Sequence, residues 1–497
     1  MTDETLPTAQ WLLASAGGSS GVAPELHPLA TEWQDIAARE RRLGIPPGQP
    51  ILMSSEQIDY RLGDYFRTAF RMDQSSTAQT YATELRTWFN FLDARGRGRW
   101  DDVDHRAVRE FQIWRLYDED NPRPITPATW NKGWEALNHF YRWATREGFM
   151  ESNPILDSQR LKDPGRTGGH REKNARSSRD RWLTPIEYAL WRDVGFRGYD
   201  AARDESGNLV PTRPATNSRS RNTARNTAFA DFGLTTGLRR AEAASLLCIE
   251  LPSTIDDETP LIGKGNIFRH YRVVHELGIE SLNDYLRGER RDAIRRGRKM
   301  GRFAPKPEHV IVEIMHSRRG QRLRFADGRV HDLPGLPGEV RRRLLIEGPD
   351  GFEPAWLWLG DSGETLLPQS WSDVFQSANR RVTLARAKNG VRSPWVTVTP
   401  HSLRFTFALF VLLAGVRAID EDLGLSSASA FSLRNYSQAF DEVRDLLGHS
   451  TTAVTRKHYL APVKSLRSTS VLRSTSLTEM WDELRASSRL VGFDGDR

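Results

Sequence analysis

The sequence predicts a mainly α-helical protein with a small β-sheet in its second domain. Between residues 51 and 153, apolar and aromatic side chains recur at helical spacing, which is typical of a small all-helical domain. The capping sequence Thr184-Pro185-Ile186-Glu187 predicts that a second domain begins with a helix. Further on, two β-prone segments flank the turn Gly263-Lys264-Gly265-Asn266. Since 497 residues exceed one ordinary hydrophobic core, two or three domains are expected.

The composition favours a soluble protein with a polyanionic partner. The formal net charge is +7 and arginine clusters recur along the chain, which favours nucleic acid over a small acidic metabolite. The single cysteine, Cys248, excludes an internal disulfide and fits a reducing cytoplasm. No export signal is visible at the N-terminus. The longest apolar run, Phe405 to Val416, is shorter than the ~18 residues that a membrane span needs. We therefore expect a cytoplasmic protein.

The first part of the chain divides into an arm, a helical domain and a linker. Residues 1–48 are rich in glycine and proline and are interpreted as an N-terminal arm of unknown function, an appendage to the fold. Residues 49–157 form the helical domain, with Thr126-Pro127 as a helix start. Residues 158–181 are basic and lack periodicity, which predicts a flexible linker. The apolar stripes of the helical domain are Tyr81, Leu85, Trp88, Phe89 and Leu92, and then Trp130, Trp134, Leu137, Tyr141 and Ala144.

The second domain is predicted to cover residues 182–468, with a C-terminal tail at 469–497. An apolar stripe in the tail, Leu477, Met480, Trp481 and Leu484, predicts a short helix that docks either on its own domain or on a neighbouring protomer. The other predicted elements are a loop from Gly198 to Arg225, a buried helix from Thr227 to Leu247, strands at His309 to Ile314 and Trp356 to Leu359, a helix from Trp371 to Ala387, and a very apolar helix capped by Thr399 with Pro400 at its first position.

Four short strings in this domain carry reactive side chains in a fixed order. They are Gly237-Leu238-Arg239-Arg240-Ala241-Glu242, then Gly263-Lys264-Gly265-Asn266, then His401-Ser402-Leu403-Arg404, and finally Leu447-Gly448-His449-Ser450 followed by Thr455 and Tyr459.

Breaking a DNA phosphodiester with a side chain makes demands that these residue types meet. A nucleophile must reach phosphorus, cations must neutralise the pentavalent intermediate, and protons must be given to the leaving oxygen and taken from the nucleophile. Tyrosine, with an unperturbed pKa of about 10, needs surrounding cations to serve as that nucleophile. Arginine suits the neutralising role because its planar fork binds two oxygens and stays charged. No cluster with metal-ligand spacing stands out, so neither metal nor cofactor is expected.

Each of these residues, taken alone, also has an ordinary structural interpretation. Arg239 could form a buried ion pair with Glu242, and Arg404 could be a surface arginine. Lys264 could be a hairpin lysine in solvent. The histidine and tyrosine of the last string could be half-buried residues of a helix. The combination and order of the strings favour the catalytic interpretation.

Together the four strings resemble the tyrosine recombinase (integrase) family, over roughly residues 50–465. The resemblance implies a helical core-binding domain at 49–157 and an α+β catalytic domain at 182–468, which form a C-shaped clamp on DNA. It also marks the stretches near 284–343 and 418–440 as insertions, because they lengthen the catalytic domain beyond the family's usual size.

The resemblance assigns a role to each matched residue. Tyr459 is the nucleophile, Arg239 and Arg404 bind the phosphate, Lys264 protonates the departing 5′ hydroxyl, His401 accepts the tyrosine proton, His449 is the second phosphate-side histidine, and Glu242 orients Arg239.

Three positions complicate this assignment. Arg240 adjoins Arg239, but spacing from the glycine favours Arg239. His458 stands where some members have the tyrosine, and a histidine cannot serve that role here. Phe405 stands where many members carry a further histidine, a departure that we expect to be tolerated.

The implied function is a site-specific recombinase or integrase of a mobile element. It would cut and rejoin DNA through a 3′-phosphotyrosine without metal or ATP. The implied partners are double-stranded DNA, further copies of the chain in a tetramer on paired sites, and accessory DNA-bending or directionality proteins, with no membrane. Two alternatives stay open, a type IB topoisomerase-like enzyme that relaxes DNA as a monomer, and a catalytically idle DNA-binding relative. The core-binding character of residues 75–154 argues against the first, and the full set of six polar residues argues against the second.

Overall fold

The chain folds into two compact units, Met1–Arg179 and Asp180–Arg497. The computed structural model describes residues 11–16, 42–45, 48–54, 59–70, 75–155, 182–216, 221–255, 257–263, 267–317, 320–392, 395–425 and 431–468. Within these ranges both units are mainly helical, and the second unit also contains several short strands, so the predicted fold class is confirmed.

In the first unit, helices surround an aromatic core. The helices are α1 (Tyr60–Thr68), α2 (Ser75–Ala94), α3 (His105–Tyr117) and α4 (Pro127–Arg146). As predicted, Thr126 caps α4 by accepting a hydrogen bond from the backbone of Thr129, and Pro127 occupies the first helical position. Inside the core, the Trp88 indole donates to the Tyr141 hydroxyl over 2.8 Å, which satisfies both buried polar groups.

The described part of the N-terminal arm belongs to this unit, so its interpretation as an appendage is wrong for residues 11–16. Strand β1 (Leu12–Ser15) pairs antiparallel with β2 (Pro50–Met53), and the Trp11 ring lies 4.8 Å from the Phe89 ring. Strand pairing ties this segment to β2, and the ring contact ties it to Phe89 of α2; local glycine and proline content predicts neither contact. Most of the remaining arm and the predicted linker at 158–181 lie outside the described residues.

The second unit begins with α5 (Pro185–Arg192), whose predicted capping box between Thr184 and Glu187 is confirmed. The stretch from Gly198 to Arg225, predicted as a loop, instead contains the hairpin of β3 (Tyr199–Arg203) and β4 (Leu209–Pro214). The stretch resembles a loop in sequence because polar residues form the turn of the hairpin. Asp204 accepts a hydrogen bond from Asn208, and Gly207 has a positive φ of 81° between the strands.

The buried helix predicted from Thr227 to Leu247 is two helices, α6 (Thr223–Thr236) and α7 (Arg240–Ala244). Between them Gly237 adopts a left-handed conformation, with φ of 62°. A side chain there would meet the Phe407 ring at 2.2 Å, so this close packing requires glycine. The break leaves Arg239 at the N-cap of α7 rather than inside a helix.

The middle of the second unit carries most of its β-structure. After the hairpin of β5 (Thr259–Gly263) and β6 (Ile267–Tyr271) come α8 (Glu276–Arg287) and α9 (Glu289–Lys299). A five-stranded sheet follows in the order β11-β10-β7-β8-β9, made of β7 (Val310–Ser317), β8 (Gly320–Phe325), β9 (Val330–Asp332), β10 (Leu345–Gly348) and β11 (Gly351–Pro354), with the short helix α10 (Gly338–Arg341) between β9 and β10.

The strand predicted at Trp356 to Leu359 is absent from the described structure. Its backbone makes two isolated bridges, Leu247 to Trp356 and Leu359 to Thr365. All four side chains are buried, which resembles a buried strand in sequence, but the segment pairs with no neighbouring strand over its length.

Long helices close the unit. They are α11 (Ser370–Lys388), α12 (Pro400–Asp422), α13 (Ser437–Leu447) and α14 (Thr452–Ser468). Thr399 caps α12 as predicted, with Pro400 at the first position. By length and composition α12 could cross a membrane, but 67% of its apolar window is buried inside the protein, as in the core helix of a soluble domain. The predicted tail at 469–497 lies outside the described residues.

Candidate active site

Three arginines from different elements converge on the C-terminal end of α13. Backbone carbonyls at a helix end have no intrahelical donors and carry the negative end of the helix dipole, so they attract cations. Each arginine binds one of three successive carbonyls: Arg269 Nη1 donates to Leu446 over 2.9 Å, Arg404 Nη2 to Leu447 over 2.6 Å, and Arg239 Nη2 to Gly448 over 3.5 Å.

Glu242 joins two of these arginines. Its Oε1 accepts from Arg239 Nη1 at 2.8 Å, and its Oε2 accepts from Arg269 Nη2 at 2.7 Å. The backbone N–H of Arg239 also donates to Oε2, over 2.8 Å. Burial alone would raise the pKa of Glu242, but the charges of Arg269 and Arg239 outweigh burial and lower it. An ionised Glu242 therefore holds both guanidinium groups in place.

Arg404 is buried, with 3% of its surface exposed, so it is not a surface arginine. Its Nη1 donates to the carbonyl of Gly237 over 2.5 Å, in addition to its bond to Leu447. Burial and then the charge of Arg239 lower the pKa of Arg404 to about 10, so the group remains protonated at neutral pH. The left-handed turn at Gly237 thus supplies a carbonyl that orients this cation.

Tyr459 lies on α14, buried to 4% exposure, and its ring packs on Phe405 in a tilted arrangement with the ring centroids 4.6 Å apart. Phe405 directly follows Arg404 on α12. The two strings that carry Arg404 and Tyr459 are therefore in contact through this ring pair, although 55 positions separate the residues in the chain.

His449 follows the left-handed residue Gly448, which ends α13. Its Nδ1 lies 2.9 Å from the hydroxyl oxygen of the buried Thr455. Burial, and then the charges of Arg404 and Arg239, lower the pKa of His449 to about 4, so the imidazole is neutral at neutral pH. A hydroxyl that donates to Nδ1 would leave the proton on Nε2, available to an acceptor.

Two predicted site residues remain, His401 and Lys264. His401 is exposed in the first turn of α12, three residues before Arg404. Lys264 lies outside the described residues, whereas Gly263 directly before it packs against the cluster. A methyl group on Gly263 would lie 3.1 Å from Glu242 Oε1 and 3.6 Å from Arg239 Nη1. The hairpin thus ends beside the arginines.

The sequence reasoning missed Arg269 and did not assign a role to Thr455. Arg269 was overlooked because it lies outside the four strings. A usable signal existed: along β6, Phe268 and His270 are exposed while Arg269 and Tyr271 are buried, the alternation of a half-buried strand. An arginine on the buried face of a strand requires a partner, and Glu242 is that partner.

The cluster has an excess of positive charge. The cluster contains three guanidinium groups and one carboxylate, Glu242, which pairs with Arg239 and Arg269, so the site suits an anion. Each guanidinium group has five N–H donors, and Arg404 uses two of them in hydrogen bonds to backbone carbonyls. Across the described ranges, no group of three or more His, Cys, Asp or Glu side chains is arranged to hold a metal ion.

Comparison with known proteins identifies the first unit. Residues 64–148 match the family described as phage integrase, N-terminal SAM-like domain. The helical unit is thus similar to this integrase domain. The match confirms the resemblance to the tyrosine recombinases that the sequence motifs indicate.

Solved structures with some likeness to the chain include three recombinases. The Tn1549 transposon integrase in complex with circular intermediate DNA is 14% identical, with a TM-score of 0.42, over 80% of this chain and 93% of that one. A lambda integrase dimer bound to a COC′ core site is 11% identical, with a TM-score of 0.41, over 80% and 93%. XerH site-specific recombinase bound to palindromic difH is 13% identical, with a TM-score of 0.40, over 81% and 82%. No curated protein sequence matches this chain.

Proposed function

We propose that the chain is a site-specific DNA recombinase that cuts and rejoins strands through a 3′-phosphotyrosine. The observation that carries this proposal is the convergence of Arg239, Arg404 and His449 at the end of α13, with Tyr459 on the next helix. Cations that are fixed before substrate binds stabilise developing negative charge without reorganisation, which is the main requirement for phosphoryl transfer.

In the proposed reaction, the Tyr459 hydroxyl oxygen attacks the scissile phosphorus while His401 takes the hydroxyl proton. Arg239, Arg404 and the Nε2–H of His449 neutralise the non-bridging oxygens of the pentavalent intermediate. The bond from phosphorus to the 5′ oxygen then breaks, and Lys264 protonates that oxygen. The DNA 3′ phosphate is left esterified to Tyr459, and attack by a 5′ hydroxyl of another strand reverses the step.

The proposed partners follow from this chemistry and from the integrase domain at 64–148. Double-stranded DNA is the proposed substrate, and copies of the chain assemble as a tetramer on paired sites. The event is proposed to be the movement of a mobile element, in the cytoplasm and without metal or ATP. The tail at 469–497 is proposed to mediate docking between protomers.

A suicide substrate tests the proposal, because a nick near the cleavage site traps the covalent intermediate. DNA flanking the chain's own gene supplies the substrate. Wild type and the control Tyr117→Phe, which removes an exposed hydroxyl from the first unit, should form a covalent adduct. Tyr459→Phe should bind the DNA and form none. An adduct that survives in Tyr459→Phe, or that maps to another tyrosine, would contradict the assignment.

Product analysis separates the open alternatives. Exchange of strands between two duplexes supports recombination. Relaxation of supercoiled DNA without exchange would indicate a topoisomerase-like enzyme. Binding without any adduct in wild type would indicate a catalytically idle relative.

A further inference from the structure

A concavity of about 550 Å³ in the second unit has four arginine and lysine side chains among its twelve lining residues. It lies largely within the stretch predicted as an insertion, near 284–343, and is separate from the residues assigned to catalysis. We name it the basic concavity. Its charged and titratable lining residues are Arg302, Lys306, His309, Arg342, Arg343 and Glu364.

The cations of the basic concavity are largely uncompensated. Among the described residues, no ion pair is formed by Arg302, Lys306 or Arg343, and Arg342 approaches a carboxylate at the 4.0 Å limit, on Glu339. The single carboxylate of the lining, Glu364, accepts a hydrogen bond from the backbone N–H of Ser362 at 3.2 Å and also interacts electrostatically with Arg302, so one carboxylate faces four cations.

Several arginines elsewhere in the same stretch are paired. Exposed ion pairs join Arg322 to Asp332 at 3.1 Å, Arg324 to Glu313 at 2.7 Å and Arg329 to Asp327 at 2.5 Å. In the concavity, Arg302, Lys306 and Arg343 instead lie together on one surface, without an ion pair to any described carboxylate.

Hydrogen bonds and close packing connect the concavity to the elements that carry the catalytic residues. The buried Arg341, next to Arg342, donates to the carbonyl of Ser245 over 2.9 Å and forms an ion pair with Glu250. Ser245 directly follows α7, the helix that Arg239 caps. On the opposite wall, the Phe303 ring packs so closely on Gly297 that a methyl group there would meet it at 2.5 Å. The cations are thus presented by a preformed surface.

We propose that the basic concavity binds backbone phosphates of duplex DNA outside the segment that is cleaved. This inference rests on the proposed function, and it assigns a DNA contact to the insertion. A strand of duplex offers one phosphate per ~3.4 Å of helix axis, so one backbone can meet several of these cations together. Guanidinium and ammonium contacts to phosphate hold the duplex without reading its sequence. The insertion therefore lengthens the footprint and adds salt-dependent affinity.

The test compares two triple variants of the full chain with equal loss of charge. The concavity variant removes the three exposed cations of the concavity, through Arg302→Ala/Lys306→Ala/Arg343→Ala. The matched control, Arg287→Ala/Arg291→Ala/Lys299→Ala, removes three exposed cations of α8 and α9 that do not line it. Affinity for a duplex of about 40 base pairs is measured as a function of salt concentration. All six side chains are exposed, and thermal unfolding checks that both variants remain folded.

Each lost phosphate contact lowers the magnitude of the slope of log affinity against log salt by ~0.9. We therefore expect the concavity variant to lower this magnitude by ~2 to 3. The control should leave the slope within ~0.5 of the wild-type value. The variant should still form the covalent adduct on a short suicide substrate. Unchanged slope in the concavity variant, or an equal change in the control, overturns the inference. Binding of pyrophosphate is measured as well. If the concavity variant loses pyrophosphate binding but keeps the wild-type slope for DNA, the inference is overturned in favour of a small-anion site. Failure of the proposed function is distinct, because wild type would then bind DNA and form no adduct.

Discussion

The aromatic ring of Phe405 packs against that of Tyr459, with centroids 4.6 Å apart and planes inclined by 30°. Arg404, one residue earlier, donates to the carbonyl of Leu447. Two adjacent residues of α12 thus have different roles. The Phe405 ring packs against the proposed nucleophile, and the Arg404 guanidinium binds the C-terminal end of α13. The departure at Phe405, which we expected to be tolerated, gives this position a packing role.

Phe405→Ala should slow formation of the covalent adduct without weakening DNA binding, because it removes the ring that orients Tyr459. An aromatic pair is worth ~0.5–1.5 kcal/mol, which corresponds to a roughly 2- to 12-fold effect if the whole contact serves orientation. Single-turnover cleavage of the suicide substrate measures the rate. Phe405→Tyr, which keeps the ring, is the control and should stay near wild type. Wild-type cleavage by Phe405→Ala would show that the ring pair only fills space.

Arg269→Ala should reduce both stability and cleavage, because it leaves Glu242 with one cation fewer and the carbonyl of Leu446 without its donor. The expected destabilisation is ~1–3 kcal/mol, measured by denaturant unfolding. Arg272→Ala is the matched control: its ion pair with Glu442 is exposed on both sides, so the expected loss is below ~1 kcal/mol.

A second readout separates positioning from mere stability for Arg269. Arg269→Lys keeps the charge but cannot bind Glu242 and Leu446 as one planar fork. It should therefore recover stability more than cleavage rate. Equal recovery of both quantities would show that Arg269 has no role beyond holding the fold.

Thr455→Val should lower the cleavage rate, whereas Thr455→Ser should preserve it, because the hydroxyl contacts His449 Nδ1 at 2.9 Å and Val keeps the shape without the hydroxyl. Nitrogen NMR of labelled histidine reports which ring nitrogen carries the proton. We expect the Nε2–H tautomer in wild type and a mixture in Thr455→Val. The same tautomer and rate in both proteins would remove Thr455 from the mechanism.

Stability should depend on pH through His449, whose pKa is lowered to about 4 by burial and neighbouring arginines. As pH falls below the ordinary histidine pKa of ~6.5, the unfolded chain takes up this proton first. The folded state therefore loses stability between about pH 6.5 and pH 4. His449→Gln should show a shallower decline in the free energy of unfolding over that window, and parallel declines would contradict the assigned pKa shift.

Lys264→Ala should cleave a substrate with a 5′-bridging sulfur nearly as well as wild type, and the normal oxygen substrate poorly. Sulfur leaves without needing a proton, so it bypasses a missing general acid. Gly263, beside Lys264, packs against the Glu242 and Arg239 pair, which supports this reach. Equal defects on the two substrates would show that Lys264 acts in another way.

The amino-acid sequence by itself determined the chemical groups of the candidate site and several helix starts. The order of the strings around Arg239, His401, Arg404, His449 and Tyr459 depends on residue identity and short spacing alone. Helix starts at Thr126, Thr184 and Thr399 follow from local capping, in which a side chain binds a backbone N–H three residues away. Such features are readable because both partners are neighbours in the chain.

The tertiary structure decided everything that depends on distant partners. The Phe407 ring, 170 positions later, leaves no room for a side chain at Gly237, and Trp11 joins the first unit through Phe89. Arg269 belongs to the site because Glu242 and the end of α13 lie beside β6, an arrangement that periodicity along one strand cannot specify. A buried charge is tolerated only where folding brings it a partner, so the identity of that partner emerges from packing and not from spacing in the sequence.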